Sequence, residues 1–316
     1  MSATARNERP ILVTGAHRSG TTWVGKMLAT SPQVGYISEP LNLWHRPGVM
    51  RAPVKYWYTY ICADNEDEFL PALRETIDFR YHPWLELTSL RSTKDLLRMA
   101  RDVAGFVTGR LLRQRALLKD PFALFSAPWF SDRFGSHVII IVRHPVAFVS
   151  SLVRLSWSFD FCDFLAQPLL MRDWLSKFQN EMVEMLDHAE DVIAQGCLLW
   201  RMIYDVVNQY KERYPGFQIL RHEDLSLEPV RGFESIYAWL NLDFTRKIEA
   251  RITASSSPKN RKETSQQSIY AVQLDSRANL DNWKGRLTSG EVERVHELTA
   301  DVASLFYAEE AWQYNR

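Results

Sequence analysis

The amino-acid sequence predicts an α/β fold, in which helices flank a central five-stranded parallel sheet. Short aliphatic runs alternate with amphipathic helical stretches, a glycine-bounded loop joins the first run to the first helix, and no linker-like stretch divides the chain. Such alternation is typical of parallel sheets, because each helical crossover returns the chain to the same end of the sheet. We therefore expect a single domain that spans residues 1–316.

The predicted strands are five short aliphatic segments, at residues 11–14, 34–38, 116–119, 138–142 and 217–220. After the first strand, Trp23, Val24, Met27 and Leu28 fall on one helical face, and Pro32 ends the helix. Two broader apolar stripes, at 198–210 and 292–305, predict further helices.

Two segments interrupt this alternation. Residues 43–84 are rich in tryptophan and tyrosine without a regular period, and the loop 255–281 opens with a polar stretch of Ser, Lys and Arg. Each segment is expected either to cover a site on the sheet or to be an ordinary insertion or surface loop.

The composition excludes several classes of protein. Lys and Arg number 38 and Asp and Glu also number 38, so no broad basic face for nucleic acid is expected, and any anion site must be local. Three cysteines without a close pair suit reduced thiols in a cytoplasm and predict no metal site. The polar N-terminus and the short aliphatic runs indicate neither a signal peptide nor a transmembrane segment. We expect a cytoplasmic protein, whose oligomeric state the sequence does not indicate.

The loop at residues 15–22 lies between a predicted strand and a predicted helix. Gly15 and Gly20 allow a tight turn and the close approach of backbone N–H groups to an anion, and the helix N-terminus points at the same place. The loop is similar to the nucleoside-triphosphate loop G-x-x-x-x-G-K-[ST], but Thr21 occupies the lysine position and the cation is Arg18. We expect a P-loop-type domain that binds phosphate in another way.

The residue after the fourth predicted strand is Arg143. Nucleoside triphosphatases commonly place a magnesium-holding aspartate at the end of such a strand. A cation at this position argues against a magnesium-dependent kinase or GTPase. The sequence therefore predicts a polyanion site built from arginine, with no metal required.

Four motifs in order along the chain carry a family resemblance: Arg18-Ser19-Gly20-Thr21-Thr22-Trp23, Arg143 with Ser151, Leu220-Arg221-His222-Glu223-Asp224-Leu225, and Asn282-Trp283-Lys284. Together they resemble the motifs of sulfotransferases that use 3′-phosphoadenosine 5′-phosphosulfate (PAPS). The resemblance is nearer to the carbohydrate-type and bacterial members than to the cytosolic aryl type. It implies sulfuryl transfer from PAPS to the hydroxyl of a small-molecule or glycan acceptor, a carbohydrate or glycoconjugate, with adenosine 3′,5′-bisphosphate as product.

The resemblance also implies roles for the motif residues. Arg18, Ser19, Gly20, Thr21, Thr22 and Trp23 would bind the 5′-phosphosulfate. Arg18 would also stabilise the leaving 5′-phosphate electrostatically, since a guanidinium is too weak an acid to donate a proton. Arg143 and Ser151 would hold the 3′-phosphate. His222 replaces a tyrosine that contacts adenine in the family, and Arg277 is the cation retained where the family has Arg-Lys-Gly.

The catalytic base is less directly implied. Cytosolic members carry a histidine after the third strand, whereas here Leu118-Lys119-Asp120-Pro121 has none. Glu39, just past the second strand, corresponds to a glutamate of carbohydrate-type members; it is expected to be the base, a structural ion-pair partner or a substrate hydrogen-bond acceptor. His17 is the second candidate base. Lys119 and Asp120 end a strand at the same edge and would either contact a substrate or form a structural Lys–Asp pair.

Two other functions are compatible with parts of this pattern. A P-loop small-molecule kinase would use the same loop, but it is disfavoured by Thr21 and Arg143. A catalytically silent nucleotide-binding protein would keep the loop without the chemistry, and the presence of Arg18 and Glu39 speaks against it.

Overall fold

In the computed structural model, which describes residues 9–188, 190–263 and 272–312, five strands form one parallel sheet. The strands are β1 (Ile11–Gly15), β2 (Val34–Ser38), β3 (Arg115–Lys119), β4 (His137–Val142) and β5 (Gln218–Arg221). Their order is β2-β3-β1-β4-β5, and every neighbouring pair is parallel. The predicted α/β fold is confirmed, and each predicted strand end lies within one residue of the observed one.

The helices occupy the connections between the strands and the C-terminal part of the chain. They are α1 (Thr21–Leu28), α2 (Glu66–Ile77), α3 (Pro83–Leu87), α4 (Thr93–Leu111), α5 (Ala127–Phe134), α6 (Pro145–Leu155), α7 (Cys162–Leu165), α8 (Pro168–Leu170), α9 (Gln179–Leu186), α10 (Val192–Arg213), α11 (His222–Leu227), α12 (Pro229–Trp239), α13 (Arg246–Ser256) and α14 (Ser289–Ala303). No helix within the described ranges is long and apolar enough to cross a membrane.

The sheet is buried on both faces. Side chains of successive strand residues point to opposite faces, so Ile11 and Val13 of β1 pack in the core with α1, α12 and α13, whereas Leu12 packs in the larger core with α6, α10 and α14. Burial of each such side chain contributes roughly 1.5–3 kcal/mol. Continuous aliphatic strands follow from this arrangement, since neither face meets water.

Strand β1 lies at the centre of the sheet and positions the site. Its neighbours are β3 on one side and β4 on the other, so the connections that follow β1 and β3 leave toward opposite edges. Such a change of direction opens a crevice at the carboxyl ends of the strands, where open α/β sheets bind ligands. The loop at residues 15–22 begins in this crevice.

The two irregular segments acquire some regular structure. Residues 43–84 include α2, and α13 continues to Ser256, where the Oγ atoms of Ser255 and Ser256 both donate to the carbonyl of Ile252. The loop predicted at 255–281 therefore begins after Ser256. Residues 264–271 of that loop, and residues 1–8 of the polar N-terminus, lie outside the described residues.

A buried hydroxyl connects α12 to the end of α1 and provides a test of the packing between them. Tyr237 Oη donates to the carbonyls of Met27 (2.8 Å) and Leu28 (3.2 Å), which also accept from the amides of Thr30 and Ser31 in the following turn. We expect Tyr237→Phe to lower the free energy of unfolding by about 1 kcal/mol, because the buried hydrogen bond of the hydroxyl is lost. Urea unfolding would measure the loss.

Ser235→Ala is the matched control, since it removes an exposed hydroxyl from the same helix. It should change the free energy of unfolding by less than about 0.5 kcal/mol. Equal losses in the two variants would contradict a capping role for Tyr237.

Candidate active site

The loop that joins β1 to α1 requires glycine at both ends. Gly15 and Gly20 have φ angles of 146° and 98°, which other residues rarely adopt. A Cβ atom at Gly15 would lie 2.5 Å from the Ile141 carbonyl oxygen, and one at Gly20 would lie 2.4 Å from the ring of His222. The loop is therefore held tightly between β4 and the start of α11.

His222 closes one side of this loop. Its ring is buried against Gly20 and lies 6.0 Å from the ring of Trp23, measured between centroids. Burial, and then the charge of Arg143, lower the pKa of His222 to about 3, so its imidazole is neutral at physiological pH. The Trp23 indole donates to Ser255 Oγ at 3.0 Å. His222 and Trp23 thus present uncharged rings beside the loop.

Arg18 brings two predicted motifs together. Its backbone is left-handed, with φ 66°, and its Nε donates to Ser151 Oγ of α6 at 3.1 Å. Its guanidinium carbon lies 5.8 Å from the centre of the Trp157 ring. The Arg18 carbonyl accepts a hydrogen bond of 2.6 Å from Arg143 Nη1. These contacts bring the loop at residues 15–22, the end of β4 and helix α6 together.

Arg143 retains an N–H group that can donate a hydrogen bond to a ligand. Its carbonyl accepts from the Trp200 indole at 2.8 Å, whereas its buried Nε has no hydrogen-bond partner in the part of the chain that the structure describes. Burial lowers the pKa of Arg143, and the nearby carboxylate of Glu223 partly offsets this effect. A buried cation with an unused N–H is suited to an anionic ligand.

A cavity of about 720 Å³ collects most of the predicted site residues. Those that line it are His17, Arg18, Gly20, Thr21, Thr22, Trp23, Glu39, Arg143, Ser151 and His222. Ser19 is outside this set: its side chain is fully buried beneath the loop, and its hydroxyl has no hydrogen-bond partner among the described residues.

Arg277 is also outside the set that lines the cavity. It is exposed, and its Nη2 donates to the Leu227 carbonyl at 2.9 Å. The cations that line the cavity besides Arg18 and Arg143 are Arg154 and Arg286, among the residues that the structure describes. Sequence reasoning missed both. Arg154 follows Ser151 by three residues on α6, a helical spacing that could have indicated it, whereas no spacing points to Arg286.

Glu39 is oriented by two neighbours. Its backbone is left-handed, with φ 50°, and its amide donates to the Lys119 carbonyl at 2.8 Å. One carboxylate oxygen is paired with the buried Lys119 Nζ, and the other accepts from Asn42 Nδ2 at 2.6 Å. Lys119 thus pairs with Glu39 and not with Asp120, the alternative considered for the end of this strand.

Asp120 supports the turn that carries Glu39. Its carboxylate accepts from the Leu41 amide at 2.6 Å and from the Phe122 amide at 3.0 Å. Burial and the charge of Glu39 raise its pKa to about 7, and these two amides oppose the rise. The turn after β2 is therefore tied to the end of β3.

His17 faces the same cavity and contacts Tyr58. The Tyr58 oxygen accepts from the His17 amide at 3.1 Å and lies 2.9 Å from His17 Nδ1. We assign the hydroxyl proton to Nδ1, because no other acceptor for it is found among the described residues, and we therefore place the imidazole proton on Nε2. Burial lowers the pKa of His17 to about 4, with the charge of Arg18 adding to the effect. This geometry favours a hydrogen-bond donor over a base.

Aromatic and acidic side chains also line the cavity. They are Trp44, Trp57, Phe122, Trp157 and Phe159, together with the carboxylates of Asp160 and Asp163. Trp44 and Trp57 make an edge-to-face contact, with centroids 5.1 Å apart, and Trp157 lies beside Arg18. The cavity thus combines arginines, aromatic rings and carboxylates, with Glu39 among its lining residues.

One comparison with known proteins matches most of the chain. The model of the sulfotransferase family matches residues 10–246. A search of curated proteins gave no match.

Solved structures of similar proteins include two sulfotransferase domains. The one from the curacin biosynthetic pathway is 15% identical, with a TM-score of 0.45 over 92% of this chain and 97% of its own. The one from the Synechococcus PCC 7002 olefin synthase is 18% identical, with a TM-score of 0.46 over 98% of both chains. Mouse sulfotransferase SULT7A1, complexed with PAP, is 13% identical, with a TM-score of 0.43 over 96% of this chain and 86% of its own.

The family match spans well over half of the chain. It includes the loop after β1, the end of β4 and the start of α11, which are the elements that converge on the cavity. This protein therefore belongs to the sulfotransferase family and is a sulfotransferase enzyme.

Proposed function

We propose that the protein transfers a sulfuryl group from PAPS to an acceptor hydroxyl of a carbohydrate or glycoconjugate. The observation that carries this proposal is the single cavity in which Arg18, Arg143 and Ser151 meet the oriented carboxylate of Glu39. A polyanion site beside a carboxylate able to accept a proton is the combination that sulfuryl transfer needs.

The residues present fit PAPS. The buried Nε of Arg143, without a partner among the described residues, and the hydroxyl of Ser151 suit a 3′-phosphate, with Arg154 and Arg286 lining the same cavity. The backbone amides of residues 19–22 and the hydroxyls of Thr21 and Thr22 suit the 5′-phosphosulfate. Trp23 and His222 offer uncharged rings for adenine. Arg277 would contact PAPS only after its hydrogen bond to the Leu227 carbonyl is broken.

Each catalytic side chain has one task. When bound, PAPS supplies the sulfuryl group. Arg18 stabilises the negative charge that develops on the 5′-phosphate, as a cation that stays protonated throughout. Glu39 accepts the proton of the acceptor hydroxyl, while Lys119 and Asn42 hold its carboxylate in place. His17 Nε2 donates a hydrogen bond, and its role as a base is the second choice.

The acceptor would bind beside the aromatic side chains of the cavity. Tryptophan faces stack against sugar rings, and the carboxylates of Asp160 and Asp163 can accept hydrogen bonds from sugar hydroxyls. The segments 43–84 and 255–281 would cover the cavity within one domain, since Trp44, Trp57, Leu274 and Ser276 line it. Cys62, Cys162 and Cys197 carry free thiols, which suit a cytoplasmic location.

The nucleotide preference tests the proposal against a magnesium-dependent P-loop kinase. We expect calorimetry to detect binding of adenosine 3′,5′-bisphosphate without metal, because Arg143 would meet the 3′-phosphate, and only weak binding of ATP with magnesium. Turnover with PAPS and a panel of sugars, phenols and lipids would then identify the acceptor. Tight ATP–magnesium binding without bisphosphate binding would contradict the proposal, and bisphosphate binding without any turnover would favour a silent nucleotide-binding protein.

Replacement of Glu39 tests the base. Glu39→Gln keeps the shape and the oxygen that Lys119 contacts, but an amide cannot accept the proton of the acceptor hydroxyl. We expect the single-turnover rate to fall at least about a hundredfold while affinity for the bisphosphate is kept. Asn42→Ala is the comparison variant: it removes one of the two groups that orient the carboxylate but keeps the base itself, and it should lower the rate less than about tenfold. A near-normal rate in Glu39→Gln would move the role to His17.

Replacement of Arg143 tests the 3′-phosphate site. We expect Arg143→Ala to weaken binding of adenosine 3′,5′-bisphosphate by about 10- to 100-fold in calorimetry, the value of a charge-assisted hydrogen bond. Arg143→Ala also removes the hydrogen bond to the Arg18 carbonyl, so binding of adenosine 5′-phosphate, which lacks the 3′-phosphate, measures the effect on the loop and should weaken less than binding of the bisphosphate. Arg277→Ala, at an exposed position, is the control and should have little effect. Equal bisphosphate affinity in Arg143→Ala and the wild type would refute the assignment.

A further inference from the structure

Helix α4 leaves an apolar stripe exposed along its outer side. Leu97, Ala100, Ala104, Val107 and Leu111 recur at spacings of three and four residues, which places them on one helical face. All five are exposed, Leu97 to 72% and Leu111 to 77%. The stripe is about 21 Å long at the rise of an α-helix.

The opposite face of α4 already performs the packing that the fold requires. Phe106 and Gly109 are buried, and the Phe106 ring makes edge-to-face contacts with Phe79 and Tyr81, at 5.8 Å and 5.4 Å between centroids. The outer leucines therefore do not serve the core. An apolar face of this size on a helix that is already packed marks an interaction surface.

The neighbouring helix α3 also exposes apolar side chains. Trp84, Leu85 and Leu87 are all exposed, Trp84 to 80%. Glu86, between them, is buried and pairs with Arg46, and it also accepts from the Gly48 amide at 2.9 Å. Because the Glu86 side chain is held inward, the side chains of Trp84, Leu85 and Leu87 face outward.

Cations predominate on α4. Residues 91–113 contain six cations, namely Arg91, Lys94, Arg98, Arg101, Arg110 and Arg113, against two carboxylates. Both carboxylates are partly buried: Asp102 pairs with Arg46 at 2.9 Å and with Arg101 at 3.3 Å, and Asp95 accepts from Ser92 Oγ at 2.8 Å and lies 3.5 Å from Arg98. By helical position, Lys94, Arg98 and Arg101 flank one side of the apolar stripe and Arg110 the other.

We propose that α3 and α4 form a membrane-docking surface that lies in the interface of an anionic lipid bilayer. Helices that lie in a bilayer interface combine an apolar face with flanking Lys and Arg, and tryptophan prefers the level of the headgroups. The cations fit an anionic surface, and they would repel the same helix of a second copy. The proposed partner of this docking surface is thus the surface of a bilayer, and no segment of the chain has to span that bilayer.

The docking surface begins at the same edge of the sheet as the cavity. The parallel pairing of β2 and β3 requires α4 to run back between them, so its N-terminal end lies toward the carboxyl edge of the sheet. On the inner side of α4, Arg46 pairs with Glu86 of α3 and with Asp102 of α4. Trp44, two residues before Arg46, lines the cavity.

Vesicle co-sedimentation with the full chain tests the proposal without use of turnover. We expect the wild type to bind vesicles of phosphatidylcholine mixed with phosphatidylglycerol, to bind phosphatidylcholine alone much more weakly, and to lose affinity as salt is raised. L97Q/L111Q should bind anionic vesicles at least about tenfold more weakly, because two apolar anchors are lost. V183Q/L186Q is the matched control, at exposed positions of α9, and should bind as the wild type does.

The cations are tested separately. K94Q/R101Q keeps the apolar stripe and should also weaken binding to anionic vesicles at least about tenfold, whereas K247Q/R251Q on the exposed side of α13 should not. Circular dichroism and thermal unfolding should be unchanged in all four variants, since the altered residues are exposed.

Three results would overturn the proposal. The first is a wild type that does not bind anionic vesicles at low ionic strength. The second is L97Q/L111Q binding them as the wild type does. The third is a wild type that does not bind vesicles and forms a dimer, detected by light scattering, which the substitutions L97Q/L111Q dissociate. In that case the stripe would contact a second copy of the chain.

Discussion

The hydrogen bond from Arg143 to the carbonyl of Arg18 joins the two strand ends on which the site is built. Strands β1 and β4 are paired in register up to Gly15 and Ile141, and the bond continues their connection beyond the sheet. The carbonyl of Arg143 also accepts a hydrogen bond from the Trp200 indole, which links the loop at residues 15–22 through Arg143 to α10. The loop therefore inherits its position from the sheet, and ligand binding does not have to organise it.

The sequence predicted the sheet well because strands buried on both faces must be aliphatic, and the glycine loop because its backbone has few alternatives. The site was less accessible to such reasoning. Family spacing pointed to Arg277, but the turns of Ala278–Gly285 decide which guanidinium enters the cavity, and Arg286 does. The partner of Lys119 depends on how the turn after β2 meets the end of β3, a contact between residues 80 positions apart. The spacing of apolar residues along α4 also does not show which face of the helix packs against the core.

The zero net charge of the chain is an average over oppositely charged regions. Several arginines line one cavity together with the carboxylates of Glu39, Asp160 and Asp163, and the cations of α4 are exposed while its Asp102 pairs inward with Arg46. Charged groups in a cavity with low-dielectric walls produce a strong local field. Overall neutrality is thus compatible with strong local fields, and it excludes only a broad basic surface.

Arg18 and Glu39, the two side chains assigned to the chemistry, both stand on left-handed backbone, at φ 66° and 50°. For a residue with a Cβ this conformation costs roughly 1 kcal/mol, which glycine would not incur. The rest of the fold must therefore offset the free-energy cost of these two backbone conformations. Selection for a more stable protein and selection for a faster enzyme consequently act in opposite directions at the same two residues, so a search for stabilising substitutions would be drawn first to the positions that it must leave unchanged.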